Sequence, residues 1–143
     1  MKFIVITLLS IIFSLILLRF LKASMANRAW IFPALLGMLP LFYFIFALWA
    51  NDKTALKNEF FASLIIYAII ALYLRYRTTW SEYLLAGGFI FHAFYDSTHN
   101  LYFVNAGTPD WWPVFCGIID LFIGGFIIYQ VRNNRSIARY DSH

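Results

Sequence analysis

Runs of apolar residues long enough to cross a bilayer fill most of this chain, and that leaves few folds open to it. A membrane-spanning helix needs about 20 mostly apolar residues, and five stretches, roughly 3–21, 30–50, 59–74, 81–104 and 114–131, reach or approach that length. Hydrophobic residues make up 62% of the 143 residues and charged residues 13%. Soluble domains lie nearer one half and one quarter. So little polar surface cannot cover a water-facing globule. The expected fold class is all-α: one domain, an integral membrane bundle of five transmembrane helices.

Charge sets the expected orientation. Arg19, Lys22 and Arg28 lie in or beside the first connection, Arg75 and Arg77 in the third, and Arg132, Arg135 and Arg139 at the C-terminal end. These three segments alternate correctly to share one side. The second connection balances Lys53 and Lys57 against Asp52 and Glu59, and the fourth, "NAGTPDWWP", has no basic residue. The positive-inside rule therefore places the N-terminus outside and the C-terminus in the cytoplasm, as a multi-pass protein of the cell (inner) membrane. Lys2 dissents. All five tryptophans, Trp30, Trp49, Trp80, Trp111 and Trp112, fall at span ends or in loops, where indole favours the interfacial layer. "SMA" at Ser24–Ala26 has the small-x-small form of a signal-peptide cleavage site, but Arg19 and Lys22 precede it. Cleavage there would also turn the Arg75/Arg77 loop outward. The first span is read as a retained helix. The net charge of +4 forms no basic patch with interleaved aromatics, so the expected partner is the lipid bilayer and not nucleic acid. Cys116 is the single cysteine, which rules out an intrachain disulfide.

Three ionisable residues, His92, Asp96 and His99, interrupt the fourth span in "FHAFYDSTHNLYF". At 100° per residue, Asp96 lies about 40° from His92 on a helix and His99 about 20° to the other side. They share one face, which Leu85 and Phe103 extend. The opposite face, with Ala86, Ile90 and Leu101, is expected to meet lipid. Ionisable groups inside a membrane are costly and turn toward partners in the bundle interior. Helix rise puts His99 about 7 Å and Asp96 about 12 Å from the outer end of the fourth helix, and Asp120 of "CGIIDLF" at a matching ~9–10 Å in the fifth. Glu59 opens the third span, with Ser63 one turn deeper on its face.

Imidazole and carboxylate together form a normal ligand set for zinc, iron or manganese. His92, Asp96, His99 and Asp120 are the candidate metal ligands. Asp96, Asp120 and Glu59 are the candidate catalytic carboxylates, with or without a metal. A buried hydrogen-bond network that only fixes helix packing uses the same residues. Cys116, on the Asp120 face, is a soft ligand, a nucleophile or a packing residue. Tyr95 and Tyr102 flank the histidine face, and His143 ends the tail. Pro33 and Pro40 lie in the second span, where Pro40 should kink the helix while neighbours satisfy its freed carbonyl. Gly87, Gly88, Gly117, Gly124 and Gly125 should let the fourth and fifth helices pack closely.

"GGFIFHAFYDSTHN" followed by "PVFCGIIDLFIGG" resembles an uncharacterised family of small, mainly bacterial, multi-pass membrane proteins, defined as a domain of unknown function. The resembling positions are Gly88, Phe89, His92, Tyr95-Asp96, His99, Pro109 or Pro113, Cys116 and Asp120, with Glu59 as an early acidic residue of the preceding helix. The family often has tryptophan at the Tyr95 position and a second histidine at the Asn100 position, and its loop before the fifth helix is shorter. The resemblance implies the fold and the site, and no reaction.

The leading expectation is a metal-dependent membrane enzyme, a hydrolase or a relative of one, acting on a lipid or small apolar substrate. The alternative is a non-enzymatic ion or proton carrier, or a ligand-binding module, built on the same polar site. A carrier needs a polar path to both faces, and "IIALYL" and "IGGFII" in the cytoplasmic halves offer none.

Overall fold

The computed structural model describes residues 2–23 and 28–133. The Ser24–Ala26 motif, Arg135, Arg139 and His143 lie outside the described residues. Among the described residues there are five helices and no strand: α1 Lys2–Ala23, α2 Arg28–Trp49, α3 Lys53–Tyr76, α4 Thr79–Tyr102 and α5 Trp112–Arg132. Helices α1, α2, α3 and α5 are long and apolar enough to cross a membrane. Helix α4 has 24 residues, as many as α3, and carries Glu82, His92, Asp96 and His99 on its buried side.

Local chemistry fixes the helix ends. Asp52 Oδ1 accepts from the amides of Thr54 and Ala55 at 3.1 and 2.9 Å, so α3 starts at Lys53 instead of near residue 59. Hydropathy registers only the apolar part of that helix. The cap adds its polar first turns by satisfying amides that have no partner within the helix. At α4 a capping box forms: Thr78 Oγ1 accepts from the Ser81 amide, and Ser81 Oγ accepts from the Thr78 amide. Arg77 ends α3 in the left-handed region at φ 44°, its amide donating to the Tyr73 carbonyl at 2.9 Å.

Helix α4 is the centre of the bundle. It packs most extensively on α5 and also meets α3 and α2; α5 carries α1 on another side, and α2 pairs with α3. One apolar core joins Phe32 and Leu36 of α2, Ile66 of α3, Leu85 and Phe89 of α4, and Ile123 and Ile127 of α5. Leu9, Ile16, Leu48, Ile65, Leu101 and Leu121 are exposed on the outside, as suits helices surrounded by lipid.

The glycines divide their work. A Cβ on Gly124 would lie 3.0 Å from the Ala86 carbonyl, and one on Gly117 would lie 3.5 Å from the Ala93 carbonyl, so these two bring α5 against α4. Gly88 faces Leu36 and Ile69 instead, and admits α2 and α3. Gly87 and Gly125 face open space, contrary to expectation. The close α4–α5 approach also corrects the face assigned to Ala86. It is fully buried under Gly124, whereas Ile90 and Leu101 are exposed as expected. Pro40 has no amide hydrogen for the Leu36 carbonyl. One residue on, the Gly37 carbonyl accepts from the Tyr67 hydroxyl of α3 at 3.3 Å.

Candidate functional site

Helices α2, α3, α4 and α5 converge on two linked groups of polar side chains. The first spans α4 and α5. His92 Nδ1 lies 2.9 Å from Asp120 Oδ2 and 3.5 Å from Asp96 Oδ2. One ring nitrogen holds at most one hydrogen, so it cannot serve both carboxylates at once. The shorter contact is the hydrogen bond. Asp96 Oδ2 and Asp120 Oδ1 are left buried without a hydrogen-bond partner. One donor atom from each of His92, Asp96 and Asp120 fits within 4.8 Å of the others.

The second group joins α3, α4 and the loop that follows α4. Glu59 Oε1 lies 2.8 Å from His99 Nε2 and accepts from Asn105 Nδ2 at 3.1 Å. Glu59 Oε2 accepts from the Tyr95 hydroxyl at 2.8 Å. Asn105 Nδ2 also approaches the Tyr43 carbonyl at 3.1 Å, and Asn105 Oδ1 accepts from the Gly107 amide. The loop carrying Asn105 is held tightly against α2: a Cβ on Gly107 would lie 2.0 Å from the Phe46 carbonyl oxygen.

Tyr43 of α2 joins the two groups. Its hydroxyl donates to Asp96 Oδ1 at 2.7 Å, and its ring stacks on His99 with centroids 4.7 Å apart and planes 22° from parallel. A continuous set of contacts therefore runs from Asp120 through His92, Asp96, Tyr43 and His99 to Glu59. His92, Asp96, His99, Asp120 and Glu59 are each at most 3% exposed. Burial at this depth makes an uncompensated charge costly, so each carboxylate must be matched by hydrogen bonds, a proton or a cation.

All of the candidate ionisable residues thus meet in one connected region. His99, a candidate ligand, turns its Nε2 to Glu59 and stands outside the His92–Asp96–Asp120 group. Glu59 is fully engaged on Oε1 and stands with His99. Cys116 is buried, and its sulfur is not part of the three-residue group. Ser63 is buried one turn from Glu59 and donates to the Phe60 carbonyl. Tyr102 is 64% exposed at the edge of the site.

Sequence reasoning passed over Tyr43 and Asn105. Tyr43 lies on the buried stripe Phe32, Leu36, Pro40, Tyr43 and Ala47, spaced three and four apart. A helix apolar on every side gives that stripe no contrast. Asn105 is in a loop read only for its lack of basic residues. At the other end of the bundle, Tyr73, Glu82 and Gln130 are also buried. Glu82 is separated from His92 on α4 by about 15 Å of helix, at ~1.5 Å per residue. Leu85 and Phe89 fill that interval on α4, and Ile123 and Ile127 fill the matching interval on α5.

Comparison with protein-family models, with curated protein sequences and with solved structures gives no match.

Proposed function

We propose that this chain is a five-span membrane protein with its N-terminus outside, and that it is a metal-dependent enzyme acting on a lipid or other small apolar molecule. On this reading the chain belongs with the small multi-pass membrane proteins that its "FHAFYDSTHN" and "CGIID" segments resemble. His92, Asp96 and Asp120 hold the cation. The carrying observation is the meeting of three donor atoms within 4.8 Å beside two buried carboxylate oxygens that lack hydrogen-bond partners. One nitrogen and two carboxylates suit zinc, iron or manganese. A bound divalent ion supplies Lewis acidity toward a carbonyl or phosphoryl oxygen.

The chain's own residues do the rest. Tyr43 orients Asp96 through a 2.7 Å hydrogen bond. Glu59 and His99, 2.8 Å apart, form an acid/base pair next to the cation group. The Phe103–Trp111 loop, anchored by Asn105, excludes water from above. Helix α4 serves as the fifth span because its polar side chains face inward, toward α2, α3 and α5. Orientation follows from Lys22, Arg75, Arg77 and Arg132, which lie in the last turns or caps of α1, α3 and α5.

Elemental analysis of the protein purified in nanodiscs tests the metal. About one ion per chain is expected in the wild type, falling to less than a tenth in His92→Ala and Asp120→Ala. A wild-type protein without bound ion after incubation with zinc, iron or manganese salts sinks the proposal.

The second reading, a proton carrier, is favoured by the burial of Glu82 and Gln130 at the opposite end. The apolar layer of Leu85, Phe89, Ile123 and Ile127 between the polar ends opposes it. Proton flux in liposomes, abolished by Asp96→Asn, would reverse the order.

A further inference from the structure

A cavity of about 260 Å³ lies between α3 and α4. At its rim, Ile65, Phe94 and Tyr102 are 51, 60 and 64% exposed on the outer surface of the helices. Its mouth therefore faces the space where lipid chains lie, at the side of the bundle. Most of its wall is apolar. The exceptions are Tyr43, Glu59, Ser63, His92, Tyr95 and Thr98 inside, and Tyr102 at the rim.

An inventory of hydrogens on those polar residues narrows the ligand. Tyr43 donates to Asp96, Tyr95 to Glu59, Ser63 to the Phe60 carbonyl, and Thr98 to the Phe94 carbonyl. Each of these four hydroxyl hydrogens is already committed inside the protein, while the Tyr102 hydroxyl lies on the exposed outer rim. What remains toward a ligand is lone pairs, including one on Glu59 Oε2, which accepts from Tyr95 among the described residues. Among the buried lining groups His92 Nε2 is the exception, since its proton depends on what Nδ1 carries. A wall of acceptors favours a head group that brings hydrogens. It disfavours esters, ethers and anions, which would set lone pairs or negative charge against lone pairs.

Size narrows the ligand further. Pockets for drug-sized ligands run from about 300 to 1,000 Å³, so this cavity holds one head group and the start of one chain. We infer that the cavity between α3 and α4 binds a single-chain amphiphile whose head carries a hydroxyl or an ammonium group, with the head at Glu59 and the chain leaving sideways into the bilayer. This deepens the proposed substrate class and rests on the reading of the chain as a membrane protein, but it does not require the metal.

The test uses the whole chain in phosphatidylcholine nanodiscs. Three photoactivatable probes carry a diazirine on a twelve-carbon chain ending in a hydroxyl, an ammonium or a methyl ether. Peptide mapping after irradiation should place the hydroxyl or the ammonium probe, or both, on α3 near Ala62–Ile65 and on α4 near Phe94–Thr98. Labelling there should exceed that of the methyl ether about tenfold, and which donor probe leads identifies the head group. Ala62→Trp fills the cavity from its lining and should cut the labelling about tenfold. Glu59→Leu should erase the preference over the ether. Equal labelling by all three probes, or labelling that survives Ala62→Trp, overturns the inference. Metal content measured on the same samples keeps the two ideas apart. Selective labelling without metal would remove the metal reading alone, and metal without selective labelling would remove this inference alone.

Discussion

His92 and Asp120 meet across the α4–α5 seam, with Nδ1 of one 2.9 Å from Oδ2 of the other. Aspartate has a short side chain, so the contact requires the two backbones to lie close together. Gly117 and Gly124 flank Asp120 on α5 and lie against the Ala93 and Ala86 carbonyls of α4. Small residues at the seam thus position the polar pair.

Gly124→Leu should separate these helices. Its side chain has nowhere to go but into Ala86 and Ile90, and overpacking of this kind costs ~1–3 kcal/mol. Gly125→Leu, facing open space, should stay within about 0.5 kcal/mol of the wild type. Thermal unfolding of both variants in the same nanodiscs checks the contrast. Equal losses would mean that the seam is not where α5 is held.

Tyr43→Phe keeps the ring stacked on His99 and removes only the hydroxyl that Asp96 Oδ1 accepts from. A buried acceptor left unsatisfied costs ~1–3 kcal/mol, so the variant should unfold at a lower temperature. If Tyr43 orients Asp96 for a cation, ion affinity should also fall, by about tenfold or more. An unchanged unfolding temperature would show that Asp96 finds another donor.

Gly107→Ala addresses the loop. The added methyl would lie 2.0 Å from the Phe46 carbonyl oxygen, which is backbone and cannot step aside. The loop must lift, taking Asn105 away from Glu59 and Tyr43. Faster hydrogen exchange at Gly107 and Thr108 is expected, together with a stability loss of ~1–3 kcal/mol. Ala106→Ser, at an exposed neighbour, should change neither.

Orientation is open to labelling on intact cells. With an N-terminus outside, Asn51→Cys and Ala106→Cys should react with a membrane-impermeant maleimide, and Thr79→Cys only after the cells are broken. Cys116 is buried and serves as the unreactive background. The opposite pattern would invert the proposed topology.

Much of the architecture was legible because long apolar runs obey a simple rule. Every backbone polar group in hydrocarbon must be satisfied within the chain, so long apolar runs become helices. The helical period then put His92, Asp96 and His99 on one face before any partner was known. It erred at Ala86, since periodicity finds the polar face but not how much of the remaining circumference a neighbouring helix covers. It also placed the start of α3 too late, because hydropathy does not register a helix end fixed by the Asp52 side chain.

The sequence by itself determined the helices, and the shared face of the three ionisable residues on α4, because both depend on residues near one another in the chain. The tertiary structure decided the partnerships. It gave Asp120 to His92, Glu59 to His99, and Tyr43 to the space between them, and it brought Asn105 in from a loop. Those choices depend on helix rotation and separation, set by a few small residues such as Gly117 and Gly124. In helices apolar on every side, no periodicity records either one.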